Sequence, residues 1–176
     1  MTSTLTLPRT ASRSRATLDF DALYRGSRED VFAYVATLLR DHAAAEDVTA
    51  LAFERAFRKH RSFDESRGSA RAWLFGIARN AALDELRRRK RHASLVTDVP
   101  DATAVAPEDA LDLALRRAAL RTAMTTLSPR DRELIALKFH AGLDSDELAE
   151  VLGVSRSNAG TLLHRAMTKL REALDA

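Results

Sequence analysis

The chain has 176 residues, a net charge of +3, a pI near 9.7 and no cysteine. That length allows one domain or two small ones, each able to bury a modest helical core with little left for a deep catalytic cleft. The lack of cysteine excludes a disulfide framework, a thiolate zinc site and a thiol redox switch. The charge permits nucleic-acid binding without requiring it, and its distribution says more. Residues 1–17 carry +3, 18–92 carry +3, 93–110 carry −4 and 111–176 carry +1, which suggests segments with different tasks.

Residues 1–17 lack the apolar centre of a secretion signal and are dominated by Ser, Thr and Arg, so a disordered basic tail is expected. No apolar run reaches the length of about eighteen residues needed to cross a bilayer. A soluble, cytoplasmic protein without a membrane span follows as the expectation.

From residue 18 to 91 the periodicity is helical throughout. Phe20, Leu23 and Tyr24, then Val31, Tyr34, Val35, Leu38 and Leu39, recur at helical spacing, with Gly26 and Ser27 as an expected break. A second helix is expected over 41–60, with Val48, Ala52, Phe53, Ala56 and Phe57 on or beside its apolar side. Residues 62–69 (SFDESRGS) read as a loop holding Phe63, and Ser69 as the cap of a third helix over 70–91. In that helix Leu74, Ala78, Ala82 and Leu86 form one row, with Ile77 and Ala81 beside it. Arg79, Asn80, Asp84 and Arg87 lie opposite. The helix ends in Arg87, Arg88, Arg89, Lys90 and Arg91. Such a run is either a charge-complemented helix terminus or a phosphate-binding patch.

Residues 93–107 break the periodicity, and their prolines, small residues and acids read as a linker. Pro107 suits the first position of a helix whose buried side is expected to include Leu111, Leu115 and Ala118. Ser128, Pro129 and Asp131 announce another helix start, with Leu134, Ile135 and Leu137 inward and a stop at Gly142. Residues 143–170 then give two helices and a tight turn. Asp144 and Glu147 have capping-box spacing, Gly153 suits the positive φ of a helix end, and Ser155 caps the second helix. That helix buries Ala159, Leu162 and Ala166, and presents Ser155, Arg156, Ser157, Asn158, Gly160, Thr161, His164, Arg165 and Lys169 outward. Small and apolar residues at these spacings fit a helix-turn-helix; an ordinary helical hairpin with a solvated face is the alternative. No strand-like alternation occurs. The fold class is therefore all-α: two small helical domains joined by a flexible linker, the second holding the helix-turn-helix. The divisions fall at 1–17 (tail), 18–92, 93–107 (linker) and 108–176.

The five histidines, His42, His60, His92, His140 and His164, show no metal-ligand spacing, and no glycine-rich phosphate loop follows a strand. No catalytic residue, cofactor or metal is expected, and the chain reads as a non-enzyme.

Read together, the halves resemble a known family. Ala45-Glu46-Asp47-Val48, then Trp73-Leu74-Phe75-Gly76-Ile77-Ala78-Arg79-Asn80 leading into the basic helix end, resembles region 2 of bacterial sigma factors. Leu127-Ser128-Pro129-Arg130-Asp131-Arg132-Glu133 followed by the helix-turn-helix resembles their region 4, and the two-domain layout is similar to the extracytoplasmic-function (ECF) group. The resemblance implies a subunit that binds RNA polymerase core, through the β′ clamp helices and the β subunit, and directs it to promoter DNA. It also implies an anti-sigma factor as partner. Glu46 and Asp47 match the positions that meet the clamp helices. Phe63, Arg79, Asn80, Asp84 and Arg87 to Arg91 match the surface on the minus-ten element. Asn80 can serve a base edge or a structural hydrogen bond, and Trp73 a base platform or the core. Residues 155–169 on the outward face match the minus-thirty-five contacts, with Arg165 placed for guanine. Five positions depart from the family pattern: Ala50, Leu51 and Ala70, together with Gly160 and Thr161, where members often carry arginine and serine. The alternative within DNA binding is a stand-alone helix-turn-helix regulator that binds operators without polymerase.

Overall fold

The computed structural model describes residues 18–93 and 111–175, and every regular element among them is helical. The expected tail, the linker up to 107 and the helix start at Pro107 lie outside the described residues, apart from the first residue of the linker.

α1 (Phe20–Leu39) begins on Asp19, whose carboxylate accepts the Ala22 N–H at 3.0 Å. It ends at Arg40, the one non-glycine residue with positive φ among the described residues, at 54°. The helix runs unbroken through Gly26 and Ser27, where the sequence suggests a break. Ser27 is buried and accepts a hydrogen bond from Arg71 at 3.4 Å, so a long-range partner offsets a locally weak helix former. α2 (His42–Lys59) is capped by Asp41, which accepts from Ala44 N–H at 3.0 Å. Two short 3-10 turns, His60–Ser62 and Glu65–Arg67, replace the expected plain loop. α3 (Ala70–Ala93) starts with the Ser69 hydroxyl accepting from Ala72 N–H, as its sequence suggests.

In the C-terminal half, α4 (Leu111–Thr126), α5 (Pro129–Phe139), α6 (Ser145–Leu152) and α7 (Arg156–Asp175) follow. Asp144 and Glu147 form a complete capping box on α6, and Gly153 closes that helix at φ 67°. The expectation that Leu115 is buried fails: it is 60% exposed. Ala123 and Met124, near the C-terminal end of α4, join the apolar cluster shared with α5 and α7, and Leu115, two turns earlier, does not.

The two halves do not stand apart. α1, α2 and α3 pack together around Val31, Tyr34, Val35, Leu74, Phe75 and Ala78. The same core continues into Ala136, Leu137, Ala141, Leu143 and Leu148 of the C-terminal half. A smaller core of Ala123, Leu127, Leu134, Ile135, Ala166 and Leu170 holds α4, α5 and α7 to one another. α5 thus serves two cores, which suits a helix with buried residues all round.

Candidate nucleic-acid interface

The outward face of α7 is built from its first turn. Ser155 Oγ accepts the Asn158 N–H at 3.2 Å, so the hydroxyl caps the helix and stays at the surface. Ala159, Ala166 and Leu170 anchor the helix inward. Ser155, Arg156, Ser157, Asn158, Gly160, Thr161, His164, Arg165 and Lys169 are all exposed. A shallow groove between α6 and α7 is lined by Ser145, Arg156, Ser157, Gly160, Thr161 and His164. Gly160 has nothing within 4 Å of the place where a Cβ would stand, so a ligand backbone can approach the helix closely there.

Among the described residues, two of these cations form ion pairs. Arg156 lies 3.2 Å from Asp146 at the surface. Lys169 donates to Asp131 at 2.7 Å, tying α7 to the first turn of α5. Burial raises the Asp131 carboxyl, but the Lys169 and Ser128 hydrogen bonds outweigh it and hold its pKa below the usual carboxylate value.

The basic end of α3 is largely charge-complemented. Arg87 pairs with Asp84 at 3.1 Å, Arg88 with Glu85 at 2.7 Å, and Arg89 with both Glu85 and Asp41. The Arg88 hydrogen bond and then Arg89, against burial, keep Glu85 below its ordinary pKa. Asp84 also receives Arg55 at 3.4 Å. Arg87, Arg88, Lys90 and Arg91 are exposed, and Lys90 and Arg91 make no ion pair among the described residues. Both readings of the run therefore have a physical basis: its inner members fasten the helix and its outer members face solvent. Asn80 is exposed one turn before Asp84.

Two residues expected to face DNA are turned inward. Phe63 packs on Trp73 with ring centroids 5.3 Å apart, and Trp73 packs against the core. Arg79 donates to Glu133 of α5 at 2.6 Å, with the side chains 23% and 10% exposed. On α2, Glu46 and Asp47 are both exposed, and Glu46 lies 3.7 Å from the His42 ring.

A further set, invisible in the sequence, joins the halves. Arg71 donates to the His140 carbonyl at 2.9 Å, to the Ala141 carbonyl and to Asp30 at 2.6 Å. Its guanidinium thereby satisfies the end of α5, where the helix dipole favours a cation. Ser69 donates to Glu147 of α6, and Gly68, at φ 144°, leaves 2.7 Å between the Glu150 carboxylate and a would-be Cβ. Tyr34 is fully buried and its hydroxyl makes no hydrogen bond among the described residues. Burial first, and the Glu133 carboxylate second, push its pKa well above the ordinary tyrosine value. One local signal pointed this way: Glu133, Ala136, Leu137 and His140 share a helix face, so Glu133 sits among inward positions.

Comparison with known proteins fits this layout. Residues 23–92 match the family described as Sigma-70 region 2, and residues 117–170 that described as Sigma-70, region 4. The chain is 33% identical over 158 residues to the ECF RNA polymerase sigma factor BldN of Streptomyces coelicolor, covering 88% of this chain and 60% of BldN. It thus spans less than two thirds of that relative's length. It is 32% identical over 155 residues to the ECF RNA polymerase sigma factor SigL of Mycobacterium tuberculosis, covering 87% of each. Among solved structures it is similar to the sigma factor RpoE of Bartonella quintana, in complex with the anti-sigma factor NepR. That match has 27% identity and a TM-score of 0.73 over 90% of this chain and 98% of that one. It is also similar to CnrH in complex with the cytosolic domain of CnrY, at 26% identity and a TM-score of 0.62 over 89% and 87%. An α-helical region 2 and region 4 in one short chain, with relatives of this kind along nearly its whole length, place the protein in the family of ECF RNA polymerase sigma factors.

Proposed function

We propose that this sigma factor confers promoter specificity through two separate DNA grips and one acidic docking patch, acting in the cytoplasm as a non-catalytic subunit of RNA polymerase. Residues 155–169 on α7 read the minus-thirty-five element in duplex form. A helix N-terminus with free polar groups and an arginine two turns on suits major-groove contacts. The observation that best supports this is the open face itself: all nine outward residues are exposed, while small and apolar residues fix the helix behind them.

Asn80 and the 63–69 turn, which Phe63 braces through its packing on Trp73, engage the minus-ten element, and Arg87, Arg88, Lys90 and Arg91 hold its phosphates. Arg79 and Asp84 border this surface, Arg79 joining it on release from Glu133 and Arg89 supporting it from its pairs with Glu85 and Asp41. Glu46 and Asp47 on α2 meet the β′ clamp helices of core polymerase, an exposed acidic pair suiting a basic partner. The β subunit completes the polymerase contact. An anti-sigma factor is the expected inhibitor, in keeping with the complexes formed by RpoE and CnrH.

The test is in vitro transcription from a cognate promoter with purified core polymerase, with and without the chain. Promoter-specific initiation only when the chain is present is expected. No gain in initiation, together with a footprint of the chain alone on duplex DNA, would instead identify a stand-alone regulator.

A further inference from the structure

A cleft of about 320 Å³ opens where the end of α1, the middle of α3, the start of α5 and the end of α6 meet. Its apolar wall is formed by Leu38, Leu83, Leu86 and Leu152, each only half-buried. Leu83 belongs to neither of the two apolar cores. The charge beside this wall is unbalanced. Glu133, the carboxylate lining the cleft, is taken by Arg79 at 2.6 Å. Arg130 and Arg132 remain, and neither forms an ion pair among the described residues. The Asp131 carboxylate, between them in sequence, is held by Lys169 and by Ser128. Arg132 is half-buried, and one guanidinium nitrogen, Nη1, donates to the Leu127 carbonyl at 2.9 Å and the Met124 carbonyl at 3.5 Å. Burial first, and the like charge of Arg40 second, push its pKa below the ordinary arginine value.

We propose that this cleft binds a small amphiphilic anion, a medium-chain acyl carboxylate whose head lies on Arg130 and Arg132 and whose chain covers the four leucines. A guanidinium held partly out of water beside another cation is stabilised by an anion that engages its remaining donors. The half-buried leucines beside it gain when apolar surface covers them. A bare anion, which has no chain, meets only the arginines, and an alkane, which has no charge, meets only the leucines. The volume lies at the small end of ligand cavities, which suits a compact acyl anion over a long-chain lipid. Arg130, Arg132 and the four leucines belong to none of the DNA or polymerase surfaces proposed above. The site is therefore a separate small-molecule input to the chain, and it does not rest on those assignments.

The test is isothermal titration calorimetry of the full-length chain with decanoate, kept below its micelle concentration. Saturable binding of one molecule per chain is expected. Decanol, which lacks the charge, and acetate, which lacks the chain, should each bind about tenfold more weakly or less. Arg130→Gln, at an exposed position, should weaken decanoate about tenfold for the loss of one charged hydrogen bond. Leu83→Asp should abolish binding by setting a second carboxylate against the acyl chain. Helical content by circular dichroism should be unchanged in both variants, because neither side chain belongs to an apolar core. No saturable binding, several molecules bound per chain, equal binding of decanol, or decanoate affinity unchanged in either variant would overturn the site. The measurement needs neither polymerase nor promoter, so its failure leaves the transcription reading untouched.

Discussion

Truncation of Leu137 tests whether the two halves form one cooperative unit. The side chain is fully buried on α5, in the core that also holds α1 and α3. Removing it in Leu137→Ala deletes its transfer energy and leaves a cavity, a loss of about 2–5 kcal/mol for such sites. About 3 kcal/mol is reasonable for a position enclosed by packed helices. With a urea slope of about 2 kcal/mol per molar for a protein of this size, the midpoint should fall by about 1.5 M. The chain has a single tryptophan, Trp73, and it lies on α3 in the other half. Urea melts followed by Trp73 fluorescence and by far-UV circular dichroism should shift together. A Trp73 midpoint that stays in place while helicity is lost in a separate, earlier step would refute the shared core as an energetic link.

The remaining predictions concern the interfaces and the pH response. Asp47→Arg should weaken binding to core polymerase while leaving duplex DNA binding intact; equal core affinity removes Asp47 from that contact. Arg165→Ala should cost about 1–3 kcal/mol and relax preference at one base pair of the upstream element, measured by competition binding. A uniform loss across sequences would mark a phosphate contact instead. Lys169→Ala should lower stability by about 0.5–1 kcal/mol, because the Lys169 end of its pair with Asp131 is half exposed, and it should reduce the salt slope of DNA binding by about 1 if it also meets a phosphate. Burial holds the His140 imidazole below its ordinary value, with Asp30 opposing. The folded chain therefore binds fewer protons there than the unfolded one, and the contribution is intact above about pH 7 and declines as pH falls through about 6.5. Urea midpoints should drop between about pH 7.5 and 5.5, and His140→Gln should flatten that drop; an unchanged slope would refute the role of His140.

What could be read in advance was local. The α6–α7 turn is specified by Asp144, Glu147, Gly153 and Ser155, residues that act within a few positions of one another, and it formed as expected. Ser69 and Ser128 likewise cap the helices they precede. The errors share a cause in distance along the chain. Gly26 and Ser27 look like a break because nothing nearby announces Arg71, 44 positions from Ser27. Arg79 reads as a solvent-facing cation because Glu133 lies 54 positions further on. Leu115 falls on a buried row by periodicity alone, which fixes a face but not whether anything covers it. The basic run on α3 was legible as charge, while its division into fastened and outward members depends on Glu85 and on Asp41 from another helix.

The shared core also has a consequence for synthesis. α1, α2 and α3 are complete at residue 93, whereas the first turn of α5 begins at Pro129. At roughly 5–20 residues per second, several seconds separate the two events on the ribosome. During that interval the nascent N-terminal half carries Arg71 and Arg79 without their C-terminal partners, and the seam that will receive Leu137 and Leu143 is open to water. The surface that is hidden in the finished protein is thus displayed during synthesis, before the C-terminal half has folded onto it.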